Sequence, residues 1–370
     1  MGDVLEFSNT RINSSELNSG NYVSTENILQ NFQGIVKARS IPEDTNVMAF
    51  SCGNILLSNI RPYLKKVWKA TFNGGCSSDV FVLQANSNID ADYLHYVVAN
   101  DKFIGFVMNG AKGVKMPRGD KNQMKTYSLS LPSIKEQRKI SRFLSFLDER
   151  IAVQSRLIDR LQSLMIGLNN SLYEQYGNDI TTSFMELGYS YSGLSGKSAK
   201  DFGSGKPFIT YLNVYSNIIV DETDYQYVRI NDGEKQNIVR TGDVLFTLSS
   251  ETPEEVGIGS VYLGEKEVYL NSFCFGIHIE RNQLAYSPYL SYYVTSTAFR
   301  KFIYPFAQGS TRFNLCKADF EKASIKLPSL DNQKRISAML DCIAEKIRAE
   351  KAILEYYNIQ RQYLLRQMFI

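Results

Sequence analysis

Two apolar stripes with heptad spacing, one mid-chain and one at the end, constrain the fold more than any other feature. Between residues 133 and 176, apolar side chains fall at Ile140, Leu144, Leu147, Ile151, Ile158, Leu161, Met165, Leu168 and Leu172. The steps alternate four and three, and Gln154 is the polar exception. Such spacing keeps a narrow stripe on one helix face, the seam of a coiled coil rather than the broad face of a globular amphipathic helix. Pro132 blocks a helix entering from the left, and Ser133 with Glu136 three residues on is a capping-box signal. Shifted by 196 residues, the stripe recurs at Ile336, Leu340, Ile343, Ile347, Leu354, Tyr357, Leu364 and Met368. Glu350 takes the place of Gln154, and Arg361 that of Met165. The junctions repeat as well: Leu131-Pro132-Ser133 as Leu327-Pro328-Ser329, Gln137 as Gln333, and Ile140-Ser141 as Ile336-Ser337.

The segments between the stripes share one plan. Gly53-Asn54-Ile55-Leu56-Leu57 is answered by Gly242-Asp243-Val244-Leu245-Phe246, and the strand-like run 78–84 by 272–280. A helix expected over 92–108 is answered by one over 288–302. The offset grows from 186 at the start to 196 at the end, so the second copy is longer inside. A period this long means duplication of a domain, not a solenoid. The reading is a mixed α/β (α+β) lobe over 1–132, a helix over 133–176, a second lobe over 177–328 and a second helix over 329–370. The two helices are expected to pair antiparallel, with Ile140 opposite Met368 and Leu144 opposite Leu364. In that register Gln154 faces Leu354 and Glu350 faces Ile158, polar groups that weaken a seam while fixing its alignment. From Ile140 to Leu172 the seam is roughly 50 Å long at ~1.5 Å per residue, more than one turn of duplex DNA at about 34–36 Å.

Several function classes drop out. No apolar run reaches the length of a membrane span and no signal peptide opens the chain, so a cytoplasmic protein is expected. Five scattered cysteines suit a reducing compartment. Only His95 and His278 are present, both in apolar or strand-like surroundings and read as satisfied structural residues; no Cys-x-x-Cys pair points to zinc. Gly193-Leu194-Ser195-Gly196-Lys197-Ser198 approaches a phosphate-binding loop, but Tyr191 stands where that loop needs glycine. A flexible basic loop is the reading instead, and no catalytic constellation emerges. The net charge of +3 is low for a protein that holds nucleic acid by bulk charge alone.

Local patches carry the binding chemistry. Arg61, Lys65, Lys66 and Lys69 surround Tyr63 and Trp68 without an acid, and Lys112, Lys115, Arg118, Lys121 and Lys125 follow Gly110. Lys197, Lys200 and Lys206 lie in a Gly- and Ser-rich segment. Amines and guanidinium groups beside small residues suit phosphate contact, although each patch is equally consistent with a solvated loop. Ser310-Thr311-Arg312-Phe313-Asn314 supplies base-reading groups, since arginine pairs with guanine and asparagine with adenine through two hydrogen bonds each. Tyr211, Asn213 and Tyr215 alternate as though on one strand face, or as packing residues.

Taken together, the duplicated Leu-Pro-Ser…Gln…Ile-Ser junctions, the 309–315 run and the 193–198 segment resemble the specificity subunit of type I restriction–modification systems, over nearly the whole chain. That resemblance implies two target-recognition domains, each reading half of a split, asymmetric sequence in double-stranded DNA. It implies an antiparallel coiled-coil spacer that docks two methyltransferase (modification) subunits. It implies no catalysis by this chain: S-adenosylmethionine, ATP and Mg belong to the methyltransferase and restriction/translocase partners. The chain begins without a counterpart of 178–186, read as a truncated or compact start, and 110–115 replaces the Ser-Thr-Arg run in the first lobe. A two-domain protein-binding scaffold is the competing class.

Overall fold

The structure, a computed structural model, describes residues 1–369. It divides into two compact units, Met1–Arg156 with the last stretch from Ala352, and Leu157–Lys351. Each unit contains one lobe and a part of each long helix.

The first unit opens with β1 (Leu5–Phe7), β2 (Arg11–Asn13), β3 (Tyr22–Val23), β4 (Asn46–Phe50), β5 (Ile55–Ser58), β6 (Val67–Lys69), β7 (Gly74–Cys76) and β8 (Val80–Ala85). They form sheets of order β1-β8-β5-β6, antiparallel throughout, and β2-β4-β7-β3. The central strand β5 is buried along its whole length, which is why it reads as an unbroken apolar run. Its side chains alternate between two cores. Ile55 and Leu57 join Phe81, Leu83 and the helices α1 (Ala91–Val98) and α2 (Asp101–Asn109), whereas Leu56 joins Trp68, Val80 and Val82.

The single helix expected over 92–108 is therefore two. Asn100 leaves helical geometry, accepts a hydrogen bond from the Lys102 amide at 2.9 Å and donates to the Leu365 carbonyl at 2.8 Å. A short polar side chain that satisfies an orphan amide restarts a helix more readily than it continues one. After α3 (Lys121–Lys125) comes the first long helix, α4 (Ile134–Tyr176). The Ser133 hydroxyl accepts from the Glu136 amide at 3.3 Å, but the Glu136 carboxylate turns to Lys139, so half of the capping box forms.

The second unit repeats the sheet. Its strands are β9 (Ile180–Thr182), β10 (Gly188–Ser192), β11 (Phe202–Ile209), β12 (Tyr225–Val228), β13 (Val244–Thr247), β14 (Ser249–Ser250), β15 (Gly259–Val261), β16 (Tyr269–Leu270), β17 (Cys274–Ile279), β18 (Ala307–Gln308), β19 (Phe313–Leu315) and β20 (Ile325–Leu327). The antiparallel order β10-β17-β13-β15 matches β1-β8-β5-β6. Phe246 and Phe275 face a helical core, while Leu245 faces the opposite one. The helices are α5 (Phe184–Leu187), α6 (Tyr211–Ser216), α7 (Ser287–Tyr293), α8 (Thr297–Ile303), α9 (Lys317–Lys322) and the long α10 (Leu330–Met368). The expected helix over 288–302 breaks like its counterpart, here at Ser296, whose hydroxyl accepts from the Phe299 amide.

The seam forms as the heptads require within each unit. In the first, Leu144 and Leu147 are buried, and Ile140, Leu144, Leu364, Leu365 and Met368 share a core. Asp148 pairs with Arg361 at 2.5 Å and Arg150 donates to the Tyr357 hydroxyl at 3.4 Å. Partner numbers fall along α10 as they rise along α4, so the strands of the pair are antiparallel and aligned as Ile140 with Met368. Ile151, Gln154 and Leu354 are half-buried. Arg361, a flaw in the sequence pattern, is accommodated: it pairs with Asp148 and lies over the Phe32 ring at 5.8 Å, and Tyr96 donates to the second Asp148 oxygen at 2.8 Å. In the second unit Ile336 and Leu340 share a core with Met165, Leu168 and Leu172, Ile158 and Ile347 are buried, and Ile343 is half-buried. Buried Glu350 is charge-paired with Lys346 at 2.5 Å, so it is not a bare acid in the seam.

The repeated glutamine of the junctions has a matching role in each unit. Gln137 accepts from the Asp90 amide at 2.8 Å and donates to the Pro132 carbonyl at 2.9 Å. Gln333 accepts from the Tyr286 amide at 2.8 Å and donates to the Leu284 and Pro328 carbonyls. Each thus ties the start of a long helix to the entry of a helix in its own lobe, α1 in the first and α7 in the second.

Candidate nucleic-acid interface

In the second unit β18 and β19 form a hairpin whose turn is Gly309–Arg312, with Gln308 opposite Asn314. Gly309 has φ 143°, and a Cβ there would lie 2.1 Å from the Arg312 carbonyl oxygen, so the turn needs glycine. Thr311, Arg312 and Asn314 are exposed on it, and the Arg312 guanidinium lies 5.9 Å from the exposed Phe273 ring. An arginine seated on an aromatic face keeps its planar donors outward, the geometry that matches a guanine edge. The hairpin continues through β14, where Ser249 pairs with Asn314 and its carbonyl accepts from the Tyr211 hydroxyl at 2.9 Å. Tyr211 and Tyr215 stack at 6.0 Å. The structure therefore brings Tyr211, Thr311, Arg312 and Asn314 into one surface, with Phe273 added; the sequence signal for Phe273 was only its place beside the central strand.

Asn213 is not part of that surface. The alternating residues lie on α6, not on a strand, because Thr210 caps a helix at 211. Asn213 is fully buried, donating to the Asp221 and Asp224 carbonyls and accepting from the Asp221 amide at 2.9 Å. It folds a loop and cannot reach a base.

Lys197 is likewise structural. Its side chain is 5% exposed and held by Glu234 at 2.5 Å and the Arg229 carbonyl at 2.6 Å. That contact, with the Asn231 amide, pulls the Glu234 carboxyl down to about 2. The segment is a clamped turn rather than a flexible basic loop. Lys206 remains exposed on β11.

The first-lobe patches divide the same way. Lys65 pairs with Asp101 at 2.7 Å, Lys66 donates to the Thr25 carbonyl, Lys69 pairs with Asp92, and Trp68 is buried in the sheet core. Those lysines fasten loops, which leaves Arg61 as the exposed cation of its patch. Lys112, Lys115 and Arg118 stand on a projecting loop closed by mutual backbone bonds between Lys112 and Arg118. Lys112 pairs with Asp120 at 3.1 Å and holds that carboxyl below its ordinary range; Arg118 pairs with Asp79 at 3.2 Å. This loop occupies the place of the Gly309–Asn314 hairpin.

The histidines differ. His278 meets buried Asp243 at 2.6 Å, and the Tyr191 hydroxyl donates to the same carboxylate at 2.5 Å. His95, expected to be satisfied, has no hydrogen-bond partner at Nδ1 among the described residues, and burial pushes its pKa down to about 4. Among the described residues no group of His, Cys, Asp or Glu is placed to hold a metal, and no helix is long and apolar enough to cross a membrane.

Comparison with known proteins agrees with the duplication. The specificity subunit of the type I restriction enzyme EcoDI from Escherichia coli is 33% identical over 93 residues, 25% of this chain and 20% of that protein. That of StySPI from Salmonella potsdam is 27% identical over 150 residues, 40% of this chain and 32% of that protein. The matched stretches span less than two thirds of either relative. A solved chain from work on complex assembly and conformational transition of the type I R-M system has a TM-score of 0.61 at 20% identity, covering 99% of this chain and 95% of that one. The type I restriction–modification S subunit from M. genitalium gives 0.59 at 15% identity, covering 100% and 94%. These likenesses concern the fold. A family model described as the type I restriction modification DNA specificity domain matches residues 1–163 and again 194–356. The chain, matched twice and over most of its length, belongs to the type I restriction–modification DNA specificity family.

Proposed function

We propose that this chain is the DNA-reading subunit of a type I modification–restriction assembly in the cytoplasm. Each lobe reads one half of an asymmetric bipartite target in double-stranded DNA, and the paired helices set the gap between the halves. The observation that carries this reading is the same sheet built twice, with unlike projecting loops at the matching place: Gly309–Asn314 in one lobe, Ala111–Arg118 in the other. A constant scaffold with variable tips suits two different half-sites. The helices also suit protein docking. In the first unit Phe143, Phe146 and Val153 on α4, and Tyr356, Ile359 and Tyr363 on α10, are large apolar side chains left exposed. Large apolar side chains left exposed along paired helices suit an interaction surface, here for two methyltransferase subunits. The chain itself carries no reaction; S-adenosylmethionine is used by those subunits, and ATP and Mg by restriction/translocase partners.

The test is motif enrichment from random duplex DNA by the chain assembled with its methyltransferase. Recovery of a bipartite motif with a fixed gap is expected. Assembly without any enriched motif would leave a protein-binding scaffold as the function.

A further inference from the structure

The first lobe has a second polar surface, apart from its projecting loop. A groove of about 440 Å³ runs over the β8 strand, lined by Ser8, Asn9, Arg11, Ser77, Ser78 and Lys121 and floored by Phe81. Lys121 stands 5.3 Å from the Phe7 ring and 5.4 Å from the Phe81 ring, and Lys125 lies 6.0 Å from Phe7. Phe7 and Phe81 are themselves packed edge to face at 5.6 Å. The ring pair thus holds Lys121, which lines the groove, with Lys125 on the same Phe7 ring, and Arg11 adds a guanidinium to the lining. Cation–π contact positions a charge without neutralising it.

Arg11, Lys121 and Lys125 are exposed, and none makes an ion pair among the described residues. Asp79 and Asp120 are engaged by Arg118 and Lys112, whereas Glu43 and Asp44, between the lining residues Pro42 and Thr45, are exposed, with Asp44 accepting from the Asn13 side-chain amide at 3.1 Å. This is the reverse of Lys65, Lys66 and Lys69, whose charges are consumed inside the unit. Hydroxyls and the amides of Asn9 and Asn46 share the remaining wall with Pro42, Val47 and Met48, and supply donors suited to phosphate oxygens. The second unit retains the geometry but not the charge. Lys317, 196 residues after Lys121, sits 5.0 Å from the Phe275 ring, but Glu321 replaces Lys125 and approaches Lys317 at 3.6 Å.

We propose that this groove seats the sugar–phosphate backbone of the half-site read by the first lobe, with Arg11, Lys121 and Lys125 as its cations. The proposal rests on the DNA-reading function above and deepens it: the first lobe is anchored by charge at a place its partner copy has neutralised. It supplies register on the duplex rather than base choice.

The test uses the chain assembled with its methyltransferase, binding its enriched duplex across about 50 to 200 mM salt. Each phosphate contact contributes ~0.9 to the slope of log affinity against log salt. Lys121→Ala with Lys125→Ala is expected to lower that slope by about 2, and adding Arg11→Ala by about 1 more. The affinity lost over that salt range then shrinks roughly tenfold for the double variant. The enriched motif is expected to stay the same, and Lys121→Arg with Lys125→Arg to keep the wild-type slope. A wild-type slope in the alanine variants, or a changed base preference at either half-site, overturns the groove as a backbone seat. A wild-type assembly that enriches no motif overturns the DNA-reading function and the groove with it. A motif enriched by wild type alongside an unchanged slope in the variants overturns the groove alone.

Discussion

Gln333→Ala should be the most damaging single truncation at the helix–lobe junctions. The side chain is 0% exposed and makes three backbone contacts, to the Tyr286 amide at 2.8 Å, the Leu284 carbonyl at 2.8 Å and the Pro328 carbonyl at 2.9 Å. Alanine leaves one donor and two acceptors facing a small cavity. An unsatisfied buried group costs about 1–3 kcal/mol, and three neighbours sharing one cavity are not additive, so the expected loss is about 2–4 kcal/mol. Gln137→Ala removes two contacts, and should cost about 1 kcal/mol less. A chain with two compact units need not unfold in one step, so native-state amide exchange is the sharper assay. Gln333→Ala should strip protection from the Tyr286 amide while the Asp90 amide stays protected, and Gln137→Ala should do the reverse. On the proposed function each glutamine joins a reading lobe to the helix that sets the gap, so the variants should also tolerate a wider range of gap lengths. Exchange at both amides unchanged from wild type would show that the junction is held by apolar packing alone, and the argument from unsatisfied groups would fail.

Three further outcomes are expected. Arg312→Ala should relax base choice at one position of one half-site by about 1–3 kcal/mol; an equal loss on all sequences, measured by motif enrichment, would make Arg312 a phosphate contact. Removing one heptad from both long helices shortens the spacer by ~10 Å, up to about three base pairs, so the preferred gap should contract with both half-sites retained, and an unaltered gap would deny the helices a ruler's role. His95 stays neutral in the fold down to about 4, whereas the unfolded chain takes up that proton below about 6.5. Stability should therefore fall as pH drops through that window, by up to ~1.4 kcal/mol per pH unit. His95→Leu should flatten the decline in denaturant titrations at pH 7, 6 and 5, and matching wild-type and variant curves would refute the assignment.

What was legible in the sequence divides by range. The heptad stripes are local patterns, and the helices α4 (Ile134–Tyr176) and α10 (Leu330–Met368) carry them; the expected end at 370 lies outside the described residues. Register followed from matching the apolar layers of the two stripes, Ile140 with Met368 and Leu144 with Leu364, which the Asp148–Arg361 and Arg150–Tyr357 contacts agree with. The same local reading failed at 92–108 and 288–302, where Asn100 and Ser296 fit an amphipathic pattern but their side chains cap a new helix. It failed again at Tyr211, Asn213 and Tyr215: positions 211 and 215 share a helix face as well as a strand face, and the deciding residue, Thr210, lies outside the alternation.

Charge was the least legible property, for a physical reason. Lys65, Lys66 and Lys197 looked free because their partners, Asp101, Thr25 and Glu234, lie tens of residues away along the chain. Counting cations in a window cannot see a pair closed by folding, and a paired ammonium has little left to offer a phosphate. Once internal pairs are formed, the exposed polar groups on the second lobe's hairpin include Thr311, Arg312 and Asn314; in the first lobe Arg11, Lys121 and Lys125 are among the cations without an ion pair among the described residues. The first set has the fixed turn and planar donors that base edges demand, whereas the second has point charges held over rings and no such fork apart from Arg11. On the proposed function each lobe reads its own half-site, and the first lobe's groove adds electrostatic anchoring to that readout. An asymmetric target read by a duplicated scaffold requires unlike tips, because identical tips on both copies would read the same half-site twice.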